Sequence, residues 1–247
     1  MSNSRGLTSL VAQDIWNESS VAQNDIGALG FDNFGNRYRY VQAGAVALAT
    51  GHLLQETAED TNFRSMAVAT AAAIGATEVD VTLGGTAVTA NLFDSGTFLV
   101  ESSTGLGQLF RIVKHTVQTS TTGTCTFTLD RPLKVALTTS SQVSVRKNPY
   151  NDVIDFPVTP TGGPVGVALY AMTISYFGWI QSGGDVGVLY DTGANSAADE
   201  SAIMPSRDVA GSVAVVLETL AAPVHIGWGL EQVSTDSTFG MAHLIID

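Results

Sequence analysis

The chain has 247 residues, enough to bury a substantial core as one large or two smaller β domains. With 11 Lys and Arg against 23 Asp and Glu, the net charge is −12 and the pI near 4.5, which speaks against nucleic acid as a partner because phosphate binding is driven by cationic side chains. Only 14% of residues are charged, 45% are hydrophobic and 25 are Gly, a balance common in β proteins whose weakly hydrated surfaces meet other subunits.

Residues 1–28 read as an N-terminal arm of small polar residues with isolated anchors at Leu7, Leu10, Ile15 and Trp16. Such a segment either frays in solvent or is ordered by a neighbour that receives Trp16 in a pocket. It lacks the basic start and continuous apolar run of a signal peptide, and no apolar run of the chain reaches transmembrane length, so neither export nor a membrane is expected. Residues 29–64 form a strand and loop segment expected to pack with the C-terminal part. Within it, NRYRYV puts Tyr38 and Tyr40 on one strand face and Arg37 and Arg39 on the other. The two arginines are candidates for gripping a carboxylate of another subunit.

From 65 to 147 the strand signals are regular. The stretch Met66 to Ile74 is Ala-rich enough for a helix, yet Met66, Val68, Thr70, Ala72 and Ile74 alternate, and it is assigned to a strand. VDVTL, GTFLVES, GQLFRIVKHTVQ, CTFTLDRPL and QVSVRKN follow at intervals that suit a barrel or sandwich rather than βαβ units. Residues 148–164 carry four of the seven prolines and read as a Pro-rich linker or edge segment. The C-terminal β module, 165–247, returns to strands, interrupted by TGANSAADESAIMPSRD, which reads as a surface loop. The fold class is therefore all-β: two compact β-barrel or sandwich modules with an extended N-terminal arm, and in one arrangement the first module is an insertion in the second.

No catalytic, metal or cofactor motif stands out. Cys125 alternates with Thr and Phe as a small buried residue would, and a single cysteine allows no intramolecular disulfide, which suits a reducing compartment. His52, His115, His225 and His243 lack metal-ligand spacing. The acids are scattered among turns rather than paired for sugar hydrolysis. TGLGQLF lacks the third glycine and the helix of a dinucleotide fingerprint and reads as a hairpin turn. No GxSxG elbow opens a helix. No cofactor is expected.

The most distinctive stretch is YFGWIQSGGDVGVL, residues 176–189. A strand here places Tyr176 and Ile180 on one face and Phe177 and Trp179 on the other, apolar on both, which suits core packing first, burial of one face at a subunit contact second and a sugar platform last, while Gly183, Gly184 and Gly187 suggest a tight turn and a return strand. Tyr176, Phe177 and Trp179 join Trp16, Arg37 and Arg39 as candidate subunit contacts. This stretch, together with GTFLVESSTGLGQLFRIVKH and LDRPLKVALTTSSQVSVRKNPYNDVIDFP, resembles virion structural proteins of tailed bacteriophages, of the head decoration or cement type. The likeness spans residues 30–247. It implies a non-enzymatic protein of the capsid exterior, assembled in the host bacterial cytoplasm, with the major capsid protein and two further copies of itself, as a homotrimer, for partners. The alternatives are a tail or fibre adhesin that contacts a host glycan and, further off, a carbohydrate-active enzyme.

Overall fold

The computed structural model describes residues 14–193, 201–216 and 224–247. Among these the chain is all-β. In chain order the strands are β1 (Leu29–Phe31), β2 (Arg37–Gln42), β3 (Leu53–Gln55), β4 (Met66–Ala67), β5 (Glu78–Thr82), β6 (Thr97–Ser102), β7 (Leu109–His115), β8 (Thr124–Leu129), β9 (Gln142–Arg146), β10 (Ile154–Asp155), β11 (Pro164–Ala168), β12 (Phe177–Tyr190), β13 (Ala202–Pro205), β14 (Val213–Val215), β15 (Gly227–Gly229) and β16 (Thr238–Ile245), with one 3-10 turn at Thr61–Phe63. The chain divides into two compact units: an inner one, Glu59–Asn148, and an outer one, Met1–Ala58 with Pro149–Asp247. The strand run at 65–147 lies wholly within the inner unit, which interrupts the outer one between β3 and β10.

The inner unit is a six-stranded antiparallel sheet in the order β4-β9-β6-β7-β8-β5. Alternation builds it: in β8, Cys125, Phe127 and Leu129 are buried while the threonines between them are not. The Val68–Val81 bridge brings the chain after β4 to β5, and the Ala69 N–H donates to the Asp80 carbonyl at 2.8 Å, so the sheet is nearly closed on itself. Rings of Phe63, Phe93, Phe98 and Phe127 fill it, with Phe63 and Phe93 edge to face at 4.8 Å. The Ala-rich stretch is extended. Met66, Val68 and Ala72 are buried at alternate positions, and that burial outweighs a helix propensity of a few tenths of a kcal/mol per residue. TGLGQLF is the β6–β7 turn, with Gly105 and Gly107 at φ +87° and +84°.

The outer unit is organised by β12. At 14 residues it is far longer than the usual strand of about 5–6, and it belongs to two rings of pairings. Its first half pairs with β2 and β11; β11 pairs with β3, β3 with β10, and the Ala43–Val153 bridge returns to the end of β2. Its second half pairs with β16 and β14, and the ring continues through β13 and β15. Val41, Leu54, Val165 and Ile180 form part of one core cluster, and Val186, Val188, Tyr190, Ala242 and Leu244 part of another.

Three expectations are corrected here. The glycines at 183 and 184 make no reversal. The β2 register shifts between Gln181 and Gly183, and Gly184 sits at φ +87°, so the chain bulges and runs on from one ring into the other. Residues 148–164 are no bare linker: Val153 and Phe156 are buried, β10 closes the first ring, and Pro164 opens β11, where its missing N–H does least harm. The connection read as a surface loop contains β13, whose Ile203 is fully buried; its 194–200 part lies outside the described residues.

Candidate functional site

Of the segment read as an arm that frays or is ordered by a neighbour, residues 14–28 are docked on their own chain; residues 1–13 lie outside the described ones. Ser19 and Phe177 form an antiparallel bridge with N–H to carbonyl distances of 2.9 and 2.8 Å, so the segment extends the sheet beside β12. The Tyr170 hydroxyl donates to the Asn17 carbonyl at 2.7 Å, and the Thr173 hydroxyl to Glu18 at 2.7 Å. The Tyr40 N–H donates to Ala28, and the Gly27 N–H returns the bond to Tyr40. Leu7 and Leu10 lie outside the described residues.

Beneath this segment sits an aromatic cluster of Tyr38, Tyr40 and Trp179, against which Ile15, Ala28 and Phe177 pack. Trp179 meets Tyr40 edge to face at 5.2 Å, and Phe177 stacks parallel to Tyr40 at 6.4 Å. The Tyr40 hydroxyl accepts from the Gln23 N–H at 3.0 Å. The Tyr38 hydroxyl donates to Asp32 at 3.0 Å; burial and then that carboxylate push its pKa up to about 12. Asp32 also accepts from the N–H groups of Phe34 and Asn36 and from the Asn36 amide. Burial alone raises the Asp32 carboxyl, but these donors together hold it below its ordinary value.

Of the candidate contact residues, Trp179 is 1% exposed and so is corrected from a partner contact to a core residue. Tyr176 and Phe177 are half-buried, packed on two different clusters, as the two-faced strand reading expects. Trp16 is 58% exposed. Arg39 finds its carboxylate within its own chain. It forms a two-pronged ion pair with Asp247, one arm at 2.8 Å, and its other guanidinium nitrogen donates to the Gly27 carbonyl. That pairing holds the Asp247 carboxyl below the usual range, with Arg37 adding a smaller pull in the same direction.

Beside the cluster opens a cleft of about 570 Å³, lined by the loop 22–25, by Ala28 and Leu29 and by Trp179. Two of the lining residues, Asn24 and Trp179, each carry a side-chain N–H that is sealed from solvent without a hydrogen-bond partner. Reading 1–28 as an arm concealed this feature, and the signal that was present is the polar triplet Gln23, Asn24, Asp25 ahead of a glycine turn.

A second feature lies on the second ring. Along β16, Phe239, Met241 and Ile245 point away from the core while Gly240, Ala242 and Leu244 are buried. Phe239 and Met241 are 60% and 52% exposed. Between Met241 and Ile245 on the same face, His243 lies under Trp228 of β15, the rings stacked at 4.4 Å and 16°. Its Nδ1 is 2.6 Å from Asp185, the lone acid of the 176–189 stretch, which faces it across the β12–β16 ladder. The result is a continuous apolar and aromatic stripe with one His–Asp pair set in it.

The other histidines have separate surroundings. His52 pairs with Asp155 at 2.7 Å, and His115 accepts at Nε2 from the Phe93 N–H at 3.1 Å. Among the described residues no group of three or more His, Cys, Asp or Glu side chains is placed to hold a metal ion. Among them, too, no helix is long and apolar enough to cross a membrane. No family model matches the chain, and no curated protein or solved structure is significantly similar to it.

Proposed function

We propose that the chain is a non-enzymatic virion structural protein that attaches to the outer surface of a capsid, against the major capsid protein, and stabilises the head as a decoration or cement protein. The observation that carries this reading is the stripe of Trp228, Phe239, Met241 and Ile245, exposed on a strand pair whose other face is packed. Single exposed apolar residues are ordinary, whereas a contiguous run of them fits a surface that is covered in use. A cement protein needs buried area across subunit joints and no chemistry, and about 25 cal/mol is gained per Å² of apolar surface covered. The low proportion of charged residues, 14%, keeps the desolvation cost of such a contact small. The form proposed with this reading is a homotrimer, assembled in the host cytoplasm and bound on the capsid exterior.

The test is a cryo-electron microscopy map of purified particles that carry the chain, with and without the paired substitution Phe239→Ser, Met241→Ser. Density at capsid subunit junctions, lost in the double variant, supports the reading and reports the oligomer. Density confined to the tail, or heads lacking the protein that withstand heat and low salt as well as complete heads do, would overturn it.

A further inference from the structure

The 11 cations and 23 acids are divided unequally between the two units. The inner unit, Glu59–Asn148, holds seven of the cations and seven acids and is neutral, whereas the outer unit holds four cations and sixteen acids and so carries the whole net charge of −12. Contact between the outer units of two copies would set acid against acid. Contact between the inner unit of one copy and the outer unit of another brings opposite signs together, and such complementarity steers association and fixes its register.

Each unit has a surface suited to that contact. On the inner unit, Leu99 of β6 and Leu109 of β7 stand directly opposite each other and are exposed, with Leu106 exposed in the turn that joins the two strands. Val135 is exposed beside them, its N–H and carbonyl both bonded to the side chain of Gln108. Cations surround this patch. Arg111 follows Leu109 two positions along the same strand face, Arg131 donates to the Leu109 carbonyl at 2.6 Å, and Lys134 precedes Val135. Of the nearby acids, Asp130 accepts from the Arg111 backbone N–H at 3.0 Å and Glu101 from the Ser65 hydroxyl at 2.8 Å. On the outer unit, Ile15 packs inward on the aromatic cluster, and the turn closed by the Asn17 N–H on the Asp14 carbonyl at 3.1 Å leaves Trp16 on the outside. Val21, Asp14 and Asp25 are exposed on the same segment, and residues 6–36 contain no Lys or Arg. Trp and Arg are the residues most enriched in interface hot spots, and a guanidinium can also lie over an indole face.

We propose that the chain associates with itself head to tail, the turn around Trp16 of one copy seated on the Leu99 and Leu109 patch of the next, with Asp14 and Asp25 facing Arg111, Arg131 and Lys134. The two surfaces differ, so the contact is heterologous, and each added copy brings one further patch and one further Trp16 until a ring closes. This gives the homotrimer of the preceding reading its contact, yet it needs no capsid and uses none of the β16 stripe, so its failure is separate from a failure of head attachment.

The test is sedimentation of the intact chain, whose monomer mass is 25.8 kDa. The expected result is a larger species at roughly 10–100 µM that dissociates on dilution, with an affinity that falls tenfold or more between about 50 and 500 mM NaCl as screening shortens the reach of the charges. Trp16→Ser, and separately Leu99→Ser with Leu109→Ser, should each weaken association about thirtyfold or more, the loss typical of a hot spot. Unchanged far-UV circular dichroism, and a Cys125 still protected from alkylation, show that each variant is folded. Mixed in equal amounts, the two variants should recover the parent's affinity but stop at a dimer, because one supplies the intact patch and the other the intact Trp16. A parent that stays monomeric at the highest concentration, an affinity indifferent to salt, folded variants that associate as the parent does, or a mixture that stays monomeric would overturn the inference.

Discussion

Gly227 sits in β15 opposite Leu244 of β16, and on its other side faces Ile203 of β13. A Cβ added there would lie 1.9 Å from the backbone carbonyl oxygen of His243, where real Cβ contacts stay above 3.0 Å. The obstacle is backbone, so β15 and β16 must separate by about an ångström, and the Ile245 N–H to Ile226 carbonyl bond, 2.9 Å in length, would move out of hydrogen-bonding range. β15 has only three residues and is held from both sides, so Gly229 to Ser201 and Ile226 to Ile203 are strained with it. Two or three bonds at about 1 kcal/mol each give a cost of about 2–3 kcal/mol for Gly227→Ala. Gly187 is the matched control. It lies on the neighbouring β12, opposite Met241, exposed and with nothing within 4 Å of an added Cβ. Gly187→Ala should be neutral or stabilising by up to about 1 kcal/mol, because it restricts the unfolded chain without a clash. Urea unfolding followed by tryptophan fluorescence is the assay, and it isolates the outer unit because Trp16, Trp179 and Trp228 all lie there. A Gly227→Ala variant within about 0.5 kcal/mol of the parent, or a Gly187→Ala variant equally costly, would refute the β15–β16 register.

Acid sensitivity of the same transition follows from Asp32 and Asp247, whose carboxyls are held below their ordinary values. Their contribution is fully present above the unfolded value of roughly 3.9 and is lost as the pH falls through the lower folded values. The urea midpoint should therefore stay level from about pH 7 to 5 and drop below about pH 4, with a shallower drop in Asp32→Asn. At neutral pH, Asp32→Ala should cost about 1–2 kcal/mol by freeing the donors it gathers. In the inner unit, Cys125 is buried and its thiol is pushed up by that burial, so it should resist alkylation in the native protein and react at once in denaturant. Thiol accessibility thus follows the unit that fluorescence does not see. Phe239→Ser with Met241→Ser should leave the unfolding free energy within about 0.5 kcal/mol of the parent, as exposed positions do, while abolishing the proposed attachment to heads.

Much of the fold was legible because the physics was local. Strict alternation in β8 and in NRYRYV fixed which side chains turn inward, and the burial of Tyr38 and Tyr40 against half-exposed Arg37 and Arg39 follows from a period of two. What was not legible depends on long-range pairing. Glycines allow a turn and a bulge alike, and only the presence of β2, β11 and β16 along β12 makes Gly183 and Gly184 a bend within one strand. Arg39 was read as reaching for a neighbour's carboxylate because nothing local brings residue 247 to it; 208 positions separate the pair.

The same limit applies to the surfaces offered as functional. β12 and β16 are both apolar on two faces, so pattern alone treats TFGMAHLI and YFGWIQ alike. The fold separates them. Residues 14–28 and β2 cover Trp179 and half-cover Phe177, whereas Phe239, whose ring rests against Gly51, Met241 and Ile245 stay about half exposed. Which face of β16 turns inward is fixed by Gly240: a Cβ there would lie 2.4 Å from Val233 and 3.1 Å from the Tyr190 ring, so only glycine lets the core close over that position and the larger odd-numbered residues are sent outward. Covering the three exposed side chains is worth roughly 2–4.5 kcal/mol at half their full burial value. In the proposed capsid role, where one site repeats many times over a shell, that modest gain per copy would sum over every junction occupied.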